Sequence, residues 1–311
     1  MVVVLLLATA LILWEPGSVP EFGRAETARG PIAYDLDGTD GPVVLSVHAG
    51  LGGADQGRLF ARFLRREGFR VLSPSRPGYP GTPLSSGRTV EEQADLLAAL
   101  LDTLRIARVG VFTASAGAPV AYTFAARHPD RVWAVVAVAG VSTANPDWAP
   151  SNPVRRFFVD KVVQKIAYLT GAVSLDTIVT GTLDATSLFT ADEKARRQDH
   201  IVNDPGAREF FTAMVETTFP YEKRMPGTRN DALQRASLAL PLRGMTTPTL
   251  VMHGSADGDV PFHDGQNAAA LIPGARHHWM PGEDHLGFWL SPHATDHQRV
   301  AADFLTAHAP R

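Results

Sequence analysis

The residues best suited to chemistry lie in three short stretches, the first being Thr113-Ala114-Ser115-Ala116-Gly117. It follows an apolar run at 109–112 and precedes a helix-like stretch that reaches Arg127. A serine among small residues at a strand-to-helix junction can sit on a sharp turn that projects its hydroxyl, with a helix N-terminus behind it to favour developing negative charge. That is the setting of an acyl-transfer nucleophile. The same residues also fit a plainer reading, Ser115 as the N-cap of the following helix. The second stretch, at 253–261, follows an apolar run at 249–252 and offers two acids, Asp257 and Asp259. Either could orient a histidine by accepting its ring N–H. The third, at 281–289, carries His285 in a loop past the run at 276–280, where it can serve as a base.

A glycine-rich loop, His48-Ala49-Gly50-Leu51-Gly52-Gly53, follows the apolar run at 43–47, and its glycines let bare backbone approach a ligand. Neither G-x-G-x-x-G nor G-x-x-x-x-G-K-[ST] is present, which argues against a nucleotide site. His48 reads as structural, bonding loop backbone, and His277 and His278 as packing or surface residues.

Six short apolar runs, at 43–47, 71–72, 109–112, 132–138, 249–252 and 276–280, suit strands buried on both faces. Helical periodicity falls between them, at Leu59, Phe60 and Phe63, at 96–104 and at 120–125. Alternation of this kind predicts an α/β fold, a mostly parallel central sheet with helices on both faces. Ile32, Tyr34 and Leu36 predict an antiparallel hairpin at the sheet edge. From about 145 to 240 helix-like stretches follow one another without a strand, predicting an inserted helical cap. The expected division is therefore 1–23 as an apolar segment and linker, 24–144 with 241–311 as the α/β core, and 145–240 as the cap.

Composition agrees with an enzyme-sized globular chain: 311 residues, 45% apolar and 20% charged. A net charge of −3 without blocks of like charge gives no footprint for nucleic acid, so the expected partner is a small molecule. The lack of cysteine excludes disulfides, Cys-ligated zinc and thiol catalysis. Residues 2–14 are apolar apart from Thr9, and as a helix would span about 20 Å, short of a bilayer core. They lack the basic flank of a signal peptide. Membrane association or export through this segment is one expectation, and a cytoplasmic location the alternative.

Taken together, the motifs resemble the α/β-hydrolase superfamily, and within it the capped branch with proline iminopeptidase-like and esterase-like members. The matching pieces are H-A-G-L-G-G at 48–53, S-R-P-G-Y-P-G-T-P at 75–83, T-A-S-A-G-A-P at 113–119, A-R-H-P-D-R-V at 126–132, H-G-S-A-D-G-D-V-P at 253–261 and G-E-D-H-L-G-F-W at 282–289. Serine, acid and histidine occur in that family's chain order. The resemblance implies Ser115 as nucleophile, Asp257 rather than Asp259 as the acid, and His285 as base. It places the oxyanion donors at the Gly50 and Ala116 amides. It implies hydrolysis of a small-molecule acyl compound, a carboxylic ester first, with no cofactor and no metal. A proline iminopeptidase-like aminopeptidase is the nearest alternative, needing carboxylates for a free amine, with Asp147, Asp160 and Asp184 as candidates. A non-catalytic binding module on the same fold is opposed by the intact serine, acid and histidine set.

The chain departs from the family pattern where Thr113 replaces the elbow glycine, Ala49 the glycine of the usual H-G pair, and Glu283 and Asp284 the usual small residues before the histidine. These two carboxylates are expected to favour the His285 imidazolium, or to do little if they point to solvent. The cap aromatics, Trp148, Phe157, Phe158, Phe210, Phe211 and Phe219, would roof the pocket, though most suit the cap's own core.

Overall fold

Runs that are largely apolar become strands covered on both sides: Val43–Val47 (β3), Val109–Ala114 (β5), Val132–Val138 (β6) and Thr249–Gly254 (β7) are buried along their whole length. The computed structural model describes residues 17–146 and 174–310. With Gly23–Thr27 (β1), Gly30–Asp37 (β2), Arg70–Pro74 (β4) and Arg276–Met280 (β8), these form an eight-stranded sheet in the order β1-β2-β4-β3-β5-β6-β7-β8. The β1–β2 hairpin and the β2–β4 pair are antiparallel, and the remaining pairs are parallel. The expected hairpin thus forms one edge. The other edge is β8, where Arg276 and His277 are exposed, so that run is not buried on both faces. His277 stacks on Trp279 at 4.5 Å, and His278 bonds His297 at 3.1 Å.

Successive strand residues feed opposite layers, as the two-residue period requires. Phe112, Val136 and Met252 join one core with Phe288 and Leu305, while Val111, Val135 and Val251 join the other with Leu97 and Phe124. The helices supplying those layers are Ala54–Phe60 (α1), Arg62–Arg66 (α2), Val90–Thr103 (α3), Ala118–Arg127 (α4), then Phe262–Leu271, Gly287–Leu290 and Ala294–His308 beyond β7. The periodicity near residue 60 is divided between α1 and α2, which meet at Ala61.

Between β6 and β7 the described residues form Leu175–Thr186 (α5), Ala191–Asn203 (α6), Pro205–Glu216 (α7) and Tyr221–Ala236 (α8). The helical periodicity at 154–169, the aromatics Trp148, Phe157 and Phe158, and the apolar segment 2–14 lie outside the described residues. Among the described residues no helix is long and apolar enough to cross a membrane. Phe210, Phe211 and Phe219 are buried, and Phe210 stacks on Phe60 at 6.0 Å and on Trp289 at 6.2 Å, so this ring packs against the main core.

Charged side chains also join α8 to the loops at the strand ends. The fully buried Arg224 donates to both Asp55 oxygens, at 3.0 and 2.7 Å, and to the carbonyls of Gly52 (2.8 Å) and Phe219. Breaking such a pair from one side strands the other charge. Arg224→Met should lose about 3–5 kcal/mol of unfolding free energy. Adding Asp55→Leu should restore part of it, as urea titrations of the single and double variants would show.

Candidate active site

Strand β5 delivers Ser115 to the sheet's C-terminal end, where the chain turns sharply into α4. Ser115 has φ 50°, the left-handed region that an L-residue enters at a cost of about 1–3 kcal/mol. No side-chain capping bond is made at the start of α4 or of the single turn at 115–117, which removes the N-cap reading. Thr113 does not strain the turn. It pairs in register with Val47, and its hydroxyl donates to the Val47 carbonyl at 3.1 Å. Close approach is absorbed two residues past the serine, since a Cβ on Gly117 would lie 2.5 Å from the His48 carbonyl oxygen and 2.6 Å from that of Val47.

Asp257 and His285 come together from the loops after β7 and β8. His285 Nδ1 lies 2.8 Å from Asp257 Oδ2. With a carboxylate as its partner this nitrogen carries the proton, leaving Nε2 as the basic edge. Asp257 is buried and also accepts from the Asp259 and Val260 amides at 2.9 and 2.8 Å, with His253 Nε2 at 3.1 Å. Burial pushes this carboxyl's pKa up, but His285 and His253 outweigh it and hold it below the usual range. Asp259 stands on the other edge of the imidazole, 3.6 Å from Nε2, and is partly exposed. The two candidate acids therefore occupy different edges of one ring.

Ser115, Ala116 and Asp259 line a cavity of about 20 Å³, with Gln93, Asp231 and Arg235 among its other walls. Phe210, Phe211 and Phe219 are not in that lining. Ser115 and His285 make no hydrogen bond to each other in this conformation. Gly50 and Ala116 run side by side: a Cβ on Gly50 would sit 3.8 Å from that of Ala116. His48 is structural, with Nδ1 2.7 Å from the Ala49 carbonyl oxygen and Nε2 accepting from the Arg76 amide at 3.0 Å. Of the acids considered for binding a substrate amine, Asp184 is on the outer surface with Lys194 at 2.6 Å, while Asp147 and Asp160 lie outside the described residues.

Glu283 and Asp284 neither stand bare beside His285 nor point to solvent. Both are buried against Arg197 of α6, which donates to Asp284 Oδ1 at 2.6 Å and to Glu283 Oε2. The expected effect on the imidazolium is thus opposed by a neighbouring cation. Burial raises the Asp284 pKa against the pull of Arg197, whereas at Glu283 burial is outweighed by His297 and Arg197 and the pKa falls. Arg197, Arg76 and Asp231 were not anticipated from sequence. Their partners lie 87 or 155 residues away, and although Arg76 falls in the S-R-P-G-Y motif at 75–79, nothing local tells which residue it pairs with.

Removing Arg197 should push Asp284 further up, so that the folded state holds a proton the unfolded state releases. Stability from such a group is full below the unfolded pKa and is lost as pH rises through the folded value. Arg197→Met should therefore lose more stability at pH 8, about 3–5 kcal/mol, than at pH 5. Denaturation of variant and wild type at the two pH values measures the difference.

Residues 42–292 match the family model described as the alpha/beta hydrolase fold. A solved alpha/beta hydrolase fold protein from Nakamurella multipartita is similar at 37% identity and TM-score 0.86, covering 92% of this chain and 99% of that one. The 2-hydroxymuconate semialdehyde hydrolase of Pseudomonas putida is 25% identical over 93% of this chain and 96% of its own length. An uncharacterized hydrolase of Bacillus subtilis is 30% identical over a shorter stretch, 35% of this chain and 39% of the relative. None of these similarities singles out the proline iminopeptidase-like branch. The chain belongs to the α/β-hydrolase superfamily, and it is a hydrolase.

Proposed function

We propose that the protein is a serine hydrolase acting on a carboxylic ester, with Ser115 as nucleophile, His285 as base and Asp257 as the orienting acid. The observation that carries this reading is the buried Asp257–His285 pair at 2.8 Å, whose basic edge faces Asp259 in the lining of the Ser115 cavity. His285 Nε2 takes the hydroxyl proton as Ser115 Oγ attacks the carbonyl, and the Gly50 and Ala116 amides hold the oxyanion. The protonated histidine then gives its proton to the leaving alkoxide. Water, deprotonated by the same nitrogen, attacks the acyl-enzyme and frees the acid and Ser115. The missing Ser115–His285 bond does not oppose this sequence, because such bonds commonly tighten only around bound substrate. Of the expected cap at 145–240, the described helices between 175 and 236 serve to cover this site.

A second reading concerns the acyl group itself. Arg235 is buried and lines the cavity beside Ser115, with Asp264 at 3.7 Å, so a cation is within the site. A substrate bearing a carboxylate would pair with it, as the compound named for the Pseudomonas putida relative does carry one. A nitrophenyl ester with a terminal carboxylate should then be favoured over its neutral analogue, and Arg235→Gln should remove the preference.

Wild type should react with a fluorophosphonate and show an acyl-enzyme burst with a nitrophenyl ester, and Ser115→Ala should lose both. Asp257→Asn should lower kcat by about 10⁴ through the wrong histidine tautomer, and Asp259→Asn far less. Undiminished turnover in Ser115→Ala would remove the nucleophile assignment, and the reverse ranking of the two acids would move the orienting role to Asp259.

A further inference from the structure

The peptide joining Ala49 to Gly50 is gripped at its carbonyl end. His48 Nδ1 stands 2.7 Å from the Ala49 oxygen, and because Nε2 of the same ring accepts from the Arg76 amide, the ring proton must reside on Nδ1 and be donated. The Arg76 guanidinium faces the same carbonyl through Nη2 at 3.4 Å and that of His48 through Nε at 3.3 Å. A trans peptide sets its C=O and N–H in opposite directions, so fixing the Ala49 oxygen against Arg76 turns the Gly50 N–H away from it. A positive charge at the oxygen also polarises the peptide and strengthens the N–H as a donor.

Arg76 is itself held from across the molecule. It is buried, and it makes a bidentate pair with Asp231 of α8 at 2.6 and 2.7 Å. Tyr79 donates its hydroxyl to the same carboxylate at 2.6 Å and lies with its ring 4.9 Å beneath the guanidinium. Burial disfavours the guanidinium charge, but Asp231 outweighs it and keeps Arg76 protonated, while burial and Asp231 together keep Tyr79 a phenol. Asp231 also belongs to the wall of the Ser115 cavity.

We infer that Arg76, clamped by Asp231, is the positioning residue of the oxyanion hole: it aligns and polarises the Ala49–Gly50 peptide, so the donor is correctly aimed only while α8 is docked. This rests on the reading of Ser115 as nucleophile and Gly50 as oxyanion donor. A group acting on the oxyanion alone changes kcat and leaves ground-state binding nearly untouched.

The test uses the full-length enzyme with a nitrophenyl ester and with an alkyl trifluoromethyl ketone, which takes up Ser115 Oγ to form a hemiketal oxyanion. Arg76→Met should lower kcat by about 10²-fold, the size of losing one oxyanion donor, with KM within about twofold. Ketone affinity should weaken by the same factor as kcat. Asp231→Asn, isosteric and at the cavity wall, should move kcat and ketone affinity together by about tenfold, and it decides the matter if Arg76→Met does not fold. Unchanged kcat, or a kcat loss with unchanged ketone affinity, in a wild type that reacts with fluorophosphonate would overturn this proposal alone. A wild type that fluorophosphonate does not label would instead overturn the nucleophile reading, and this inference with it.

Discussion

Buried guanidinium–carboxylate pairs between the helices at 175–236 and the loops at the sheet's C-terminal end are the constraint on which the site depends. Arg224 reaches from α8 to Asp55 and Gly52, Arg76 from the loop after β4 to Asp231, and Arg197 from α6 to Glu283 and Asp284. Each joins the α/β unit to the helical segment. Desolvating such charges offsets most of their attraction, so they add little net stability, but an apolar contact could slide where a forked guanidinium has one geometry. The loops they touch are those presenting Gly50 and His285. Lacking ladder bonds of their own, these loops take their shape from the helices packed on them.

Around that constraint the sheet supplies position and the turns supply direction. Parallel register sets Thr113 beside Val47, and the first bare backbone beyond the serine is at Gly117, where the carbonyls of Val47 and His48 leave no room for a Cβ. The strained Ser115 is tolerated because its flanks are fixed: β5 lies between β3 and β6, and α4 is buried from Ala118 to Ala125. The C-terminal turn of α5 serves the other half of the site. The Thr186 carbonyl accepts from both the Gly258 and His285 amides, at 3.0 and 3.2 Å, so one backbone oxygen ties the acid's loop to the histidine's.

Much of this was legible in the sequence because it is encoded locally. Fully apolar runs mark strands buried on both faces, and small residues around Ser115 mark a tight turn. The run at 276–280 misled, since Arg276 and His277 occupy a sheet edge where no second layer covers them. Glu283 and Asp284 misled for a different reason. Carboxylates beside a histidine suggest either a favoured imidazolium or exposure to solvent, and only the fold shows both of them buried against Arg197. Long-range pairs leave no trace in a window of ten residues: Arg224 meets Asp55 across 169 positions. Thr113, which departs from the family pattern by standing in place of the elbow glycine, is a strand residue whose hydroxyl bonds the neighbouring backbone.

Asp257 and Asp259 show how little residue type alone determines. The two are separated by one glycine, yet Asp257 turns inward, where two backbone amides and two histidines surround its oxygens. By folding the Asp259 and Val260 amides back onto itself, Asp257 bends the loop around the imidazole and carries Asp259 to the opposite edge of the ring. There its carboxylate stands beyond hydrogen-bond reach of Nε2 and in the cavity wall beside Ser115. The inner acid can hold the ring's orientation because every neighbour stabilises its charge where it sits. The outer one is partly exposed, and its carboxylate stands 3.6 Å from Nε2 on the opposite edge of the ring. One loop thus gives identical side chains different physical tasks, and it can do so only because β7 ends where β8 brings His285 within 2.8 Å.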